Sequence, residues 1–345
     1  MRRIVKAAAY RPAGGRDGRS SSGPDEDGFT LAATALERLL TPDGSLGLVE
    51  RLLLAGDLPA SADADLARFI GASVPAERFG AGSSGVRAAL GAAAETGPAG
   101  EDVLLIAVDL EADRTGRPLR ARGSLGDAAV AVRFSEAEGA IALTVPDDDP
   151  EDGDEATAPL LRLCAEQRVD GANRWAAHGA AERATGSTLA EPGPRPTLRD
   201  QGPVSQGAYV PWSRYLDNLP SRWWFAADRC RSCGGLTFPM RGRCRHCGER
   251  QGLATVRLPR DGGKVVAATT IGPGGQPTEF DEQVTATGPY QVVLVELAKE
   301  VRVTLQVADA FAGHLPLGAR VGTRLRRLYP MEGEWRYGRK AVPLL

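Results

Sequence analysis

Cys230-Arg-Ser-Cys233 and Cys244-Arg-His-Cys247 place four thiols within eighteen residues, with ten residues between the two pairs. A CxxC turn bends the backbone tightly enough to aim two thiolates at one point. Two such knuckles brought together by a hairpin make the tetrahedral all-sulfur cage that Zn²⁺ prefers. Gly234, Gly235, Gly242 and Gly248 are expected to supply the positive-φ positions that knuckles need. Two disulfides would require an oxidising compartment, and a redox CxxC does not come as a pair. The cysteines therefore read as a structural zinc ribbon. With all four ligands from protein, no position is left open for water or substrate.

Other residues could do chemistry and carry weaker patterns. Gly80-Ala-Gly82-Ser-Ser-Gly85 spells GxGxxG, with Asp109 following 24 residues after the last glycine. A dinucleotide fingerprint needs a buried strand running straight into its first glycine. Val74-Pro-Ala-Glu-Arg-Phe79, with a proline and two charges, is expected not to be that strand. The same stretch fails the GxSxG nucleophile elbow because position 86 is valine. The histidines are His178, His246 and His314. No nucleophile flanks His178, His314 carries no signal, and His246 inside the second knuckle reads as a residue beside a metal already satisfied by sulfur. Nine arginines stand against two acids between Ser221 and Arg260, and seven basic residues against two acids between Pro316 and Leu345. The plain reading is a solvated face; the functional one is a patch for a phosphate-rich ligand or an acidic partner. Arg241, Arg243 and Arg245 would serve on the ribbon, with Arg324, Arg326 and Arg327 near the end. Alternation puts Arg324 and Arg326 on one strand face and Arg327 on the other.

The chain that must position these groups has 345 residues, enough for two or three domains with their own cores. Its 42% hydrophobic and 25% charged residues are those of a globular protein, and a net charge of −2 argues against a dedicated nucleic-acid binder. Lysine accounts for only four of the 42 basic residues, a skew that reflects base composition more than recognition. No apolar run approaches the ~20 residues of a membrane span, no signal-peptide core opens the chain, and Cys164 has no evident partner. A reducing cytoplasm is the expected location.

The first ~145 residues read as alternating strands and helices. Strands are expected over Ile4–Tyr10, Leu48–Ala55, Val103–Leu110, Ala128–Phe134 and Ala140–Val145. Helices are expected over Phe29–Leu40, behind Asp25, Glu26 and Asp27, over Ala62–Ile70, and over Ser84–Glu95. Asp147–Glu155, with seven acids in nine residues, is a solvated loop; Pro159–Ala181 can hold one helix, and about 190–210 reads as a linker. Trp212, Tyr215, Trp223, Trp224 and Phe225 cluster before the cysteines. After them, Val256–Leu258, Gly263–Thr270, Tyr290–Leu297, Val301–Ala308 and Thr323–Tyr329 suggest five strands of a small barrel of OB type. The domains expected are 1–146, a connecting 147–211, a ribbon at 212–252 and a barrel at 253–345. A basic, aromatic ribbon with such a barrel could also bind single-stranded nucleic acid. The aromatics, gathered before the ribbon, argue mildly against that.

Cys230-Arg-Ser-Cys233-Gly, Thr237-Phe-Pro239, Cys244-Arg-His-Cys247-Gly, Gly288-Pro-Tyr290, Leu317-Gly318 and Trp335-Arg-Tyr337-Gly338 carry a resemblance. Over about residues 212–345 the chain resembles a family that joins a rubredoxin-like zinc ribbon to an OB-fold and associates with acyl-CoA enzymes. The resemblance implies a partner of the thiolase superfamily, a ribbon docked on that catalytic subunit, and a barrel that helps hold a coenzyme A thioester. Arg241, Arg243, Arg324 and Arg326 would then meet the CoA phosphates. More loosely, Pro24-Asp-Glu-Asp27-Gly-Phe-Thr30, Ala81-Gly-Ser-Ser84, Val103–Asp109 and Gly126-Asp-Ala-Ala-Val130 resemble the first half of a thiolase-fold protein of the hydroxymethylglutaryl-CoA synthase type. That chemistry needs a cysteine thiolate at a helix N-terminus, where the dipole lowers its pKa. There is none from Met1 to Leu163. The expectation is a non-catalytic half-thiolase-like α/β domain joined to a ribbon and a barrel. Such a chain would be an accessory subunit of a complex performing thiolysis, Claisen condensation or retro-aldol cleavage. An autonomous CoA-dependent acyltransferase would need a nucleophile that the sequence lacks.

Overall fold

The computed structural model describes residues 2–10, 25–40, 46, 49–71, 74, 76–94, 102–110, 128–136, 211–299, 301–308, 315–331 and 334–344. The expected strand at 140–145, the acidic loop, the helix at 159–181, the linker, Cys164, His178 and His314 lie outside them. The chain divides into two compact units, Met1–Pro192 and Gly193–Leu345.

The first unit holds β1 (Arg2–Tyr10), α1 (Gly28–Leu39), β2 (Arg51–Gly56), α2 (Ala62–Ile70), β3 (Ala76–Arg78), α3 (Gly82–Ala94), β4 (Val103–Asp109) and β5 (Ala128–Glu136). Its sheet runs in the order β3-β2-β4-β5-β1. β2 is parallel to β3 and β4, while β5 is antiparallel to both of its neighbours. β4 is buried on both faces, which is why it reads as an unbroken apolar run. Alternation splits it: Val103, Leu105 and Ala107 pack with Val86, Ala89, Leu90 and Ala93 of α3, whereas Leu104 and Ile106 point the other way, the side of α1. α1 begins in a capping box. Asp27 Oδ1 accepts the Thr30 N–H at 3.0 Å, and Thr30 Oγ1 accepts the Asp27 N–H at 2.8 Å. This is the α/β architecture, a sheet covered by helices, that the sequence implied.

The segment before Gly80 forms a short strand, but β3 lies at the sheet edge and is half-buried to exposed, so it is not the buried strand a dinucleotide fingerprint needs, as expected. β3 survives its charges because it is an edge strand with a single neighbour. Its Glu77 pairs with Arg51 at 2.9 Å, and its Arg78 reaches Asp63.

The second unit opens with α4 (Trp212–Asp217) and α5 (Leu219–Trp224). β6 (Ala226–Cys230), β7 (Leu236–Thr237) and β8 (Leu253–Arg257) follow and form a three-stranded sheet in the order β7-β6-β8. A five-stranded antiparallel sheet comes next, from β9 (Asp261–Ile271), β10 (Tyr290–Ala298), β11 (Val301–Gln306), β12 (Arg320–Met331) and β13 (Glu334–Pro343), with α6 (Asp281–Thr287) between β9 and β10. Its order is β11-β10-β9-β12-β13, and a parallel bridge from Val307 to Ala341 brings its two ends together. The result is a nearly closed barrel of OB type around Val265, Val293, Val295, Val321, Leu325 and Ala341.

The five barrel strands are not quite the five expected. Val256–Leu258 falls on β8, which pairs with β6 in the ribbon sheet. The fifth barrel strand is instead β13. Its edge is covered by the aromatic hairpin: Tyr215 Oη accepts the Tyr337 N–H at 2.9 Å, and Trp223 Nε1 donates to Tyr337 O at 3.2 Å. Among the described residues no helix is long and apolar enough to cross a membrane.

Candidate metal centre

The two knuckles repeat one hydrogen-bond pattern. Gly234 N–H donates to Cys230 O at 2.9 Å and Cys230 N–H to Gly235 O at 3.0 Å. In the second, Gly248 N–H donates to Cys244 O at 3.0 Å and Cys244 N–H to Glu249 O at 2.7 Å. Gly234 and Gly248 take φ of 73° and 80° to close these turns. Gly235 does not share that role, contrary to expectation. A Cβ there would lie 2.4 Å from the His246 ring, so its requirement is close approach rather than backbone angle. His246 thus packs across the first knuckle from the second, with Nε2 3.3 Å from Leu236 O. Between the knuckles, the buried Asp228 accepts the Arg241 and Gly242 N–H groups at 2.9 and 3.1 Å. Thr237 Oγ1 accepts from Arg245 N–H at 3.0 Å.

This scaffold gathers the four sulfurs so that all lie within 4.8 Å of one another. The Cys230–Cys247 and Cys233–Cys244 pairs are each 3.6 Å apart. Four sulfurs at about 2.3 Å from a tetrahedral Zn²⁺ would be about 3.8 Å apart, so the donor set and spacing fit that ion. Cys230 and Cys244 are buried, Cys233 and Cys247 exposed. The Cys247 N–H, working against desolvation and joined by the His246 N–H, holds the Cys244 thiol down to about 6. The Glu249 N–H favours the Cys247 thiolate, but the Cys233 and Cys230 side chains outweigh it and push that thiol up to about 12. Glu249 itself is held below the usual carboxylate range by the N–H groups of Gln251, Arg250 and Gly252.

The expected anion-binding arginines separate in the structure. Arg241, Arg243 and Arg245 are exposed and, with His246 and Gly248, line a shallow cleft of ≈ 540 Å³ at the second knuckle. On β12, Arg324 pairs with Asp261 at 3.0 Å, and Arg326 is 4% exposed, its Nη1 donating to Leu325 O. Arg327 is buried too, 4.6 Å over the Trp335 ring. In the first unit, the start of α3 carries Ser83, whose hydroxyl accepts from Arg87 of the same helix at 3.1 Å, and the exposed Ser84. The close packing below it was not foreseen: a Cβ on Gly85 would fall 1.8 Å from Gly80 O. The GxGxxG spacing was the signal for it, a backbone contact in place of a phosphate cradle.

No family model matches the chain. A DUF35 domain-containing scaffold protein of Methanocaldococcus jannaschii is 26% identical over 129 residues, 37% of this chain and 86% of the relative. A protein of the same description from Methanothermobacter thermautotrophicus is 27% identical over 117 residues, 34% of this chain and 82% of its own. Among solved structures, PksG, an HMG-CoA synthase from Bacillus subtilis, overlaps 39% of this chain and 41% of its own at 16% identity, with a TM-score of 0.31. The Ltp2-ChsH2(DUF35) aldolase overlaps 37% of this chain and 90% of its own at 21% identity, with a TM-score of 0.28. By fold and site this is an α/β unit followed by a four-cysteine ribbon and an OB-type barrel, and the chain is similar in sequence to DUF35 scaffold proteins.

Proposed function

We propose that the chain is a non-catalytic, zinc-binding accessory subunit of a thiolase-superfamily complex acting on acyl-CoA. In that complex it would help bind the CoA thioester and scaffold the catalytic subunit during thiolysis, Claisen condensation or retro-aldol cleavage. The observation that carries this reading is the missing nucleophile. α3 starts on Gly82-Ser83-Ser84, Ser83 is engaged by Arg87, and no cysteine precedes position 164. The scaffold description of the two archaeal relatives supports it.

Zn²⁺, when bound, closes the ribbon and leaves no open coordination position. Cys230, Cys233, Cys244 and Cys247 would hold it, while Asp228 and Thr237 fix the loop between the knuckles. CoA phosphates would be met by Arg241 and Arg243 at the cleft, each charge-assisted hydrogen bond contributing roughly 1.5–3 kcal/mol. Arg324 and Arg326 form the second proposed pair. Because Arg324 is held by Asp261 and Arg326 is buried, the ribbon pair is the more available. Single-stranded nucleic acid finds less support: among the described residues no aromatic ring is exposed on β9, β10 or β11 to stack a base.

Radiolabelled acyl-CoA incubated with the isolated chain should leave no label after denaturation. Stable label lost in Ser83→Ala or Ser84→Ala would overturn the non-catalytic reading. Calorimetric CoA affinity should fall in Arg241→Ala/Arg243→Ala more than in Arg324→Ala/Arg326→Ala.

A further inference from the structure

The metal ligands and the proposed CoA cleft leave a second arginine group unused. β6 is the middle strand of the ribbon sheet, and its residues alternate between two faces. Asp228 and Cys230 point toward the knuckle loops and the sulfur cluster. Arg229 points to the opposite face, between Leu236 of β7 and Ala254 of β8, its direct partners across the two ladders. Arg231 extends the same ladder, donating its N–H to Gly252 O at 2.7 Å, and Arg250 precedes that glycine by two residues. All three arginines are exposed, while Leu236, Ala254 and Val256 on this face are half-buried. The face sets one central guanidinium among half-buried apolar residues with two more arginines at its edge, and arginine is enriched at protein interfaces.

Among the described residues, none of Arg229, Arg231 and Arg250 has a carboxylate partner. Of the two acids of the ribbon, Asp228 is bonded to the Arg241 and Gly242 N–H groups, while Glu249 lies beside Gly252 at the edge of this face, its Oε1 taken by the N–H groups of Arg250 and Gln251, which leaves the arginines in excess. A four-thiolate zinc centre carries a net charge of about −2, but Arg229 lies across the sheet from it. A CoA molecule in the second-knuckle cleft would engage Arg241, Arg243 and Arg245 and leave this face as it is. The whole chain carries −2, so a local run of unpaired cations is not a consequence of overall composition.

From this we infer that the outer face of the ribbon sheet, centred on Arg229 with Arg231 and Arg250 at its edge, docks a carboxylate-rich protein surface. The occupant is an acidic segment with apolar residues that cover Leu236, Ala254 and Val256. The inference rests on the accessory-subunit reading in placing that segment on the catalytic partner. Nucleic acid is the less favoured anion because the face offers no exposed aromatic platform.

The test uses the zinc-loaded full chain and three probes: poly-L-glutamate, oligothymidylate and CoA. Poly-L-glutamate should bind, with affinity falling steeply as NaCl is added. The variant Arg229→Ala/Arg231→Ala/Arg250→Ala should bind it about tenfold more weakly or worse. Its zinc content, circular dichroism and CoA affinity should be those of the parent. Arg241→Ala/Arg243→Ala should do the reverse, losing CoA and keeping poly-L-glutamate. Undiminished poly-L-glutamate binding by the triple variant overturns the inference, and so does tighter binding of oligothymidylate at the same face. Failures of the two readings are separable. If the face binds poly-L-glutamate but the chain assembles with no thiolase-like subunit, the assembly reading falls and the docking face stands. If such a complex forms and survives both salt and the triple variant, the docking face falls and the assembly stands.

Discussion

The four thiols do not enter metal binding as equals. With Cys244 near 6 and Cys247 near 12, the metal-free ribbon at about pH 7 holds Cys244 mostly as thiolate and Cys247 protonated. A metal that requires four thiolates must therefore displace protons, and chiefly from the two raised thiols, Cys247 and Cys233. The sign follows: apparent affinity rises with pH, by about tenfold per unit for each proton displaced. Competition against a chelator from about pH 6 to 8 should show that slope, with proton release on metal addition in weak buffer. A flat profile would mean the cluster is already deprotonated when empty. A four-cysteine zinc site would contribute apparent binding energy on the order of 10 kcal/mol to folding the ribbon, and Cys230→Ser should forfeit much of it. Metal analysis of that variant should find the site largely empty; full zinc occupancy would refute the ligand assignment.

At the scale of single elements, α3 separates two glycines that look alike in sequence. Gly91 has nothing within 4 Å of a built Cβ, so Gly91→Ala should stabilise the first unit by roughly 0.5–1 kcal/mol through backbone entropy. A Cβ on Gly85 would fall 1.8 Å from Gly80 O, and that oxygen also accepts the Gly56 N–H at 3.2 Å. Gly85→Ala should therefore cost about 2 kcal/mol or more, because backbone on both sides must shift. Urea unfolding of the two variants should move in opposite directions; equal shifts would contradict the packing. Legibility divides in the same physical way. β4 and the helix at 62–70 were readable because a run buried on both faces and a strong amphipathic period are local properties. The cysteine cage was readable because ligand spacing is local too. β13 was not: Arg336, Arg339 and Lys340 are buried under Trp212, Phe225 and their neighbours, which erases the polar–apolar alternation that marks a strand. β8 was read as a strand but assigned to the wrong sheet, since pairing with β6 is decided by the knuckle between them. The arginine face on β6 was hidden for the same reason, requiring two ladders to bring Leu236 and Ala254 beside Arg229.

Across the whole molecule, the candidate metal site belongs to one unit and the α/β sheet to the other, each with its own apolar core. Within the second unit the ribbon is tied to the barrel through the helices before it, and its two ends are tied to each other. Before it, α4 and α5 grip β13 through Tyr215, Trp223 and the bond from Arg339 Nε to Trp223 O. After it, Leu258 N–H returns to Phe225 O at 3.0 Å as the chain passes into β9. Stripping the metal should therefore release residues 226–257 first and loosen β13 next, because the hairpin that covers its edge is anchored to the ribbon. β4 and β5, whose core shares no residue with the ribbon, should be unaffected. Hydrogen exchange with and without chelator measures this directly. Protection should vanish from β6–β8, fall partially along β13, and hold in β4. If β4 loses protection in step with the ribbon, the two units unfold as one and the metal stabilises the entire chain; if β13 is untouched, the aromatic hairpin holds its strand without help from the cysteines.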